Sequence, residues 1–248
     1  METLQQFKQR TRYVHELSFH GPMFLNPNLS MKVNDEGQFN PFYGDTVVYL
    51  LDSDIKTKLI EYQKLLMNSC SDLLAEPLVP DTFHLTLHDL NNGPDLDPLI
   101  SKMERSQTLV KELFEKLKDD SDVIHLSSTK VFSMVNTSIV LCFEPETEED
   151  CIKLMSYYEL FHEIVPLSYP LTPHITLAYY NAPYASEDEQ GNWIKGRIPL
   201  NRLYHLKEVM DQLNSREPLH LSLSIHDLAY QHFTSMNHYK TKLQGEQQ

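Results

Sequence analysis

This 248-residue chain predicts an α+β fold with mostly antiparallel sheets in two lobes. Three observations carry that expectation. Segments of strand and helix periodicity interleave along the chain. Only 7 glycines occur, and neither half has the Gly-rich turn of a parallel nucleotide-binding fold. One arrangement appears twice: a strand, a helix, a proline, then His-aliphatic-Thr-Leu. Thr46 lies 38 residues before His84, and Thr137 lies 37 before His174. Matching spacing over that length marks an internal repeat.

The elements follow in order. Leu4, Phe7, Val14 and Leu17 fall near helical spacing and predict a helix over 3–19. Residues 20–45 carry Gly21-Pro22, Asn26-Pro27 and Asn40-Pro41, which predict an ordered loop with a small hairpin near Gly37. A strand follows from Thr46, then an amphipathic helix over 54–70 with Ile55, Leu59, Tyr62 and Leu66 inward. The first motif occupies a strand at 83–88, closed by Asn91-Asn92-Gly93-Pro94. Residues 98–118 read as a helix burying Met103, Val110, Leu113 and Leu117. Two strands, near 123–134 and 138–143, flank a turn at Asn136-Thr137. Thr147 and Asp150 form a capping-box pattern opening a helix that buries Cys151, Met155 and Tyr158. Tyr169-Pro170-Leu171-Thr172-Pro173 bars a helix and leads into the second motif strand. A polar loop over 182–196, a helix through Leu203 and Met210, and a last strand over 219–230 complete the chain. The implied organisation is an N-terminal helix and loop extension (1–45), a central domain (46–230) and a C-terminal tail (231–248), frayed beyond about Lys242.

The repeated tetrapeptides are His84-Leu85-Thr86-Leu87 and His174-Ile175-Thr176-Leu177. In a strand, His and Thr share one face while the aliphatics face the core. Two such strands facing each other present two imidazoles and two hydroxyls to one small volume. Imidazole titrates near pH ~6.5, so one ring can accept a proton while the other donates one. The hydroxyls suit the developing charge on a phosphate. His125-Leu126-Ser127, His220-Leu221-Ser222 and His232-Phe233-Thr234 have similar triplets but lack the strand–helix–proline frame. Alternation puts His88 on the face of His84 and Thr86, as a cleft-rim candidate or a surface histidine at a strand end. His84 and His88 lie about 13 Å apart along a strand at ~3.3 Å per residue, too far to share an ion. No metal-binding, Gly-rich phosphate-loop or serine-elbow motif occurs, so the expectation is no metal and no cofactor.

The net charge of −14, from 21 basic and 35 acidic residues, disfavours long polyanions. A short nucleotide or an RNA end fits better than a long duplex. No apolar run is long enough to span a membrane, and the N-terminus lacks a secretory pattern. Three cysteines without paired spacing fit free thiols, so the expected compartment is the cytoplasm.

The two tetrapeptides, each ending a strand–helix arm, resemble the paired signature of the two-histidine (2H) phosphoesterase superfamily, which includes the LigT-like 2′-5′ RNA ligase and cyclic phosphodiesterase group. The resemblance covers residues 44–230. The run from Met31 to Val48 resembles a less-studied branch with an added N-terminal portion. The resemblance implies a bilobal, pseudo-symmetric fold with helices outside and a central cleft. It implies chemistry on 2′-linked or 2′,3′-cyclic phosphodiesters, with His84 and His174 as the acid–base pair and Thr86 and Thr176 as phosphate donors. Tyr43 and Tyr180 are candidates for stacking a base, with core or surface packing as the alternative. The absence of a basic patch favours phosphodiesterase over RNA ligase. The alternatives are a noncatalytic nucleotide-binding or regulatory module using the same cleft, and an unrelated metal hydrolase.

Overall fold

Leu4 and Phe7 pack one face of the first helix, α1 (Leu4–Val14), with Phe7 and Thr11 wholly buried. The computed structural model describes residues 2–14 and 21–245, so the rest of the predicted helix, to residue 19, lies outside the described residues, as do the last three residues of the chain. A short strand, β1 (Met23–Phe24), precedes a 3₁₀ turn at Pro27–Met31 capped by Asn26. Gly37, at φ +76°, turns the small hairpin that brings Val33 opposite Phe39.

The first arm is β2 (Tyr43–Leu50), α2 (Ser53–Cys70) and β3 (His84–Gly93). Asp52 caps α2 by accepting the Ile55 N–H at 2.7 Å, and the predicted stripe Ile55, Leu59, Tyr62 and Leu66 is buried. β3 runs past the predicted break at Asn91 because Asn91 and Asn92 still pair with Asp45 and Gly44. α3 (Ile100–Leu117) buries Met103, Val110 and Phe114, while Leu113 and Leu117 are only partly covered.

β4 (Ile124–Met134) and β5 (Ser138–Pro145) form the expected hairpin. Its turn sits one residue earlier than predicted, with Val135 and Asn136 at φ 43° and 55°. Two successive positive φ angles match the twist of a tight hairpin, although valine seldom adopts them. The second arm continues through α4 (Glu148–His162) to β6 (His174–Tyr179). The capping box forms: Thr147 N–H donates to Asp150 at 3.0 Å and Asp150 N–H donates to Thr147 Oγ1 at 3.1 Å.

Three predicted stretches differ. Residues 182–196 contain a hairpin, β7 (Ala185–Glu187) with β8 (Trp193–Lys195), followed by β9 (Arg197–Ile198), which pairs with β1. Beyond α5 (Leu200–Asn214), the single strand expected over 219–230 is two, β10 (His220–Leu223) and β11 (Leu228–Ser235), split by a turn that Ser224 and Asp227 cap. The residues expected as a tail supply the end of β11 and all of β12 (His238–Gln244).

Two four-stranded antiparallel sheets result, ordered β12-β11-β2-β3 and β10-β4-β5-β6. In each, the motif strand lies at an edge, paired with the first strand of its own arm. The two motif strands run beside each other. The helices bridge the sheets: α2 packs against β6, and α4 packs against β3 as well as β4 and β5 of its own sheet. One apolar core therefore joins both sheets, from Tyr49 and Leu85 to Leu141 and Ile175. Beside it, buried Asp45 accepts from the Asn91 backbone N–H (2.8 Å), the Asn91 side chain (2.9 Å) and the Tyr230 hydroxyl (2.7 Å). That network ties β2, β3 and β11 together, because a buried carboxylate is tolerated only when its oxygens are satisfied.

Gly44 lies on β2 where an added Cβ would meet the Asn91 carbonyl oxygen at 2.2 Å and the Phe233 ring at 2.4 Å. Gly44→Ala is expected to destabilise the protein by about 1–3 kcal/mol, the usual range for overpacking. Chemical denaturation of both forms measures the difference.

Candidate active site

His84 and His174 open their strands, each preceded by a segment that cannot be helical. A 3₁₀ turn at Pro80–Thr82 leads into His84, and the proline-flanked stretch 170–173 leads into His174. Each ring is tied to the backbone two residues earlier. His174 Nδ1 donates to the Thr172 carbonyl at 2.7 Å, and the Thr82 backbone engages the His84 ring in the same way. A carbonyl only accepts, so Nδ1 of His174 carries hydrogen and Nε2 is the nitrogen left for chemistry.

The aliphatics behave as alternation requires. Leu85, Leu87, Ile175 and Leu177 are fully buried, while His84, Thr86, His174 and Thr176 are half-buried and line one cavity of about 590 Å³. The hydroxyls of Thr86 and Thr176 make no hydrogen bond to protein among the described residues. They are available to a ligand.

Beyond the threonines, simple alternation fails in both strands at the same place. In the first sheet Val48 faces Thr86 but Val47 faces His88, leaving Leu87 extra. In the second Val140 faces Thr176 but Ile139 faces Ala178, leaving Leu177 extra. Such a bulge turns two consecutive side chains to one face. Leu87 and His88 are both buried, His88 against Tyr158 and His162 of α4, while half-buried Asp89 opens into the cavity. Leu177 and Ala178 are likewise buried, and Tyr179 takes the cavity side.

Strand register accounts for corrections at Tyr43 and Tyr180. His88 lines the cavity, as the cleft-rim expectation has it, and is not a surface histidine. It is buried at the cavity margin beside the rings of Tyr158 (5.0 Å) and His162 (5.8 Å). Burial lowers its pKa to about 4. Tyr180 is wholly buried, and its neighbour Tyr179 lines the cavity instead. Tyr43 lies on β2 with Asp45 and Val47, the face turned from the cavity, and its neighbour Phe42 lines the cavity instead.

Other groups at the site were not read from the sequence. Asp89 accepts from the Tyr169 hydroxyl at 3.2 Å. Lys32 lies over the rings of Phe42 (5.1 Å) and Tyr179 (5.6 Å). Tyr239, from β12, meets the His84 ring edge-on at 4.9 Å. Only the aromatic doublet Phe42-Tyr43 left a sequence signal, since Lys32 and Tyr239 join the site through long-range packing.

Burial dominates the electrostatics of both histidines. It lowers the His84 pKa to about 4, opposed by the Asp89 carboxylate and the Thr82 backbone and assisted by His174. It lowers that of His174 too, opposed by the Thr172 carbonyl and Asp89 and assisted by Lys32. Both rings are therefore neutral near pH 7 in the free protein. Among the described residues no group of three or more His, Cys, Asp or Glu is placed to hold a metal ion. No helix among them is long and apolar enough to cross a membrane, and Cys70, Cys142 and Cys151 are free and buried.

No protein-family model and no curated protein sequence matches the chain. Among solved structures it is similar to ATU0111, a conserved protein of unknown function from Agrobacterium tumefaciens str. C58, at TM-score 0.63 and 16% identity, covering 90% of this chain and 94% of that one. The two share a fold. Looser overlaps are found with TT0787 of Thermus thermophilus (TM-score 0.49, 14% identity, 81% of this chain and 95% of that one) and with E. coli LigT complexed with 3′-AMP (TM-score 0.47, 11% identity, 82% and 96%). Structural similarity thus runs over most of the chain.

The histidine pKa values give a pH prediction. Both lie below the ordinary 6.5, so folding disfavours protonation of these rings. The stability tied to their neutral forms is complete above about pH 6.5 and is lost as pH falls toward 4. Melting temperature is expected to drop across that interval, and to drop less in His84→Asn. Circular dichroism melts at stepped pH provide the check.

Proposed function

We propose that the chain is a metal-independent phosphodiesterase for a small or terminal 2′-linked or 2′,3′-cyclic phosphodiester of a nucleotide or RNA end. The observation that carries this reading is the convergence of two His-x-Thr pairs on one cavity, with His174 Nε2 left unengaged. The cavity volume of about 590 Å³ suits a small ligand. The net charge of −14 weighs against a long nucleic acid.

In this mechanism one neutral imidazole takes a proton from water as its oxygen attacks phosphorus. The bond from phosphorus to the ribose oxygen breaks, and the second imidazole, protonated, supplies that oxygen with its proton. Thr86 and Thr176 donate to the non-bridging oxygens, where negative charge builds. The acid has to gain its proton in a site that disfavours one. The substrate's phosphate charge and the Asp89 carboxylate both favour the imidazolium. No covalent intermediate arises, and the chemistry calls for no metal ion.

The lowered pKa of both rings favours one further reading, a noncatalytic nucleotide-binding module in which neither ring is charged near pH 7. Turnover separates the two. A screen of 2′,3′-cyclic nucleotides and 2′-5′-linked dinucleotides, run with EDTA, is expected to give product. His84→Ala and His174→Ala should each lower kcat by about 10²–10⁴-fold in a folded protein. Full turnover in both variants eliminates the mechanism, and binding without turnover selects the module.

A further inference from the structure

Among the described residues one carboxylate lines the histidine cavity, that of Asp89, in a chain with 35 acidic residues. The register step after Thr86 brings it there. Thr86 lies opposite Val48 and Asp89 opposite Thr46, so the two stand about 7 Å apart along the strand at ~3.3 Å per residue of the partner. Half-buried Asp89 is held from the second arm. The Tyr169 hydroxyl donates to its Oδ2 at 3.2 Å, and the Tyr158 hydroxyl donates to the Tyr169 carbonyl at 2.8 Å. Its charge bears on both His84 and His174. A carboxylate that close to a phosphate grip opposes the ligand charge that the threonines are placed to hold.

The charges on the lining indicate what it selects. Arg10 is matched by Glu2, which accepts from its Nε and Nη2 at 2.9 Å each. Lys32 and Asp89 then carry opposite single charges, and the lining imidazoles, His84, His88 and His174, are neutral near pH 7 in the free protein. The reaction needs one ring protonated as the acid. A phosphodiester carries one negative charge, which that imidazolium balances. The monoester left when a cyclic diester opens carries about −1.5 to −2 near pH 7, and its second charge has no counterpart. We propose that Asp89 is a charge-selecting residue, which fits the site to a monoanionic phosphodiester and drives out the dianionic monoester formed from it. This deepens the phosphodiesterase reading and rests on it, although the charge preference can be measured apart from turnover. Without Asp89 the balance moves, because one imidazolium and Lys32 together match a dianion.

The test uses the full chain, Asp89→Asn and Asp89→Glu. Asparagine keeps the shape and can still accept from Tyr169, and glutamate keeps the charge. One readout is KM for 2′,3′-cyclic AMP, replaced by its Kd where no turnover occurs. The other is the Kd of 2′-AMP and of 3′-AMP, the two possible products, by calorimetric titration. In Asp89→Asn the monoesters are expected to bind about tenfold or more tighter relative to the cyclic diester, the scale of one screened charge pair at that distance. Asp89→Glu should stay near wild type. A damaged fold loosens binding, so a gain in affinity reports the removal of repulsion. A ratio unchanged or reversed in Asp89→Asn overturns charge selection, and turnover then leaves the phosphodiesterase standing. An Asp89-dependent ratio with no turnover does the reverse. Neither turnover nor binding of any of the three nucleotides overturns both.

Discussion

The site depends on one irregularity made twice, the two-against-one step in register just after each threonine. Up to Thr86 and Thr176 the strands follow simple alternation, which sets His and Thr on the open face and aliphatics in the core. Without the step the next open-face residues would be His88 and Ala178. With it they are Asp89 and Tyr179, a carboxylate that favours the imidazolium forms and a ring that carries a lysine. The same insertion sends an uncharged imidazole into the helix-packed layer, beside the rings of Tyr158 and His162.

The parts of this arrangement that were legible in sequence are those that local chemistry controls. The helix starts at Asp52 and Thr147 follow from side chains that accept their own helix's N–H groups. The motif strands follow from alternation, and the recurrence of the arm brings them to a common cavity. What escaped reading depends on register and on distant packing. Tyr43 and Tyr180 each missed the cavity by one position, because strand face has period two and a shift of one reverses it. The C-terminal strand pair was hidden because β11 joins β2 from nearly two hundred residues away. Lys32 has no motif around it and acquires meaning only through Phe42 and Tyr179.

Burial also shapes the proton chemistry. Water is partly excluded from both rings, so desolvation outweighs the carbonyls and the carboxylate that favour their charged forms. The same exclusion strengthens whatever interaction an anion makes there, because fields are screened less away from bulk water. Resistance to protonation on its own, and acceptance of a proton beside an anion, are two consequences of one low-dielectric environment.

The bridging of the two sheets by helices bears on motion. Two halves that each carried their own helix would be free to rock about the line between them. Here α2 lies against the opposite half's motif strand and α4 spans both halves, touching β3 as well as its own β4 and β5, above a single continuous apolar interior. Any rocking would have to drag each helix across side chains packed at crystal-like density. Packing of that kind resists a hinge between the two sheets.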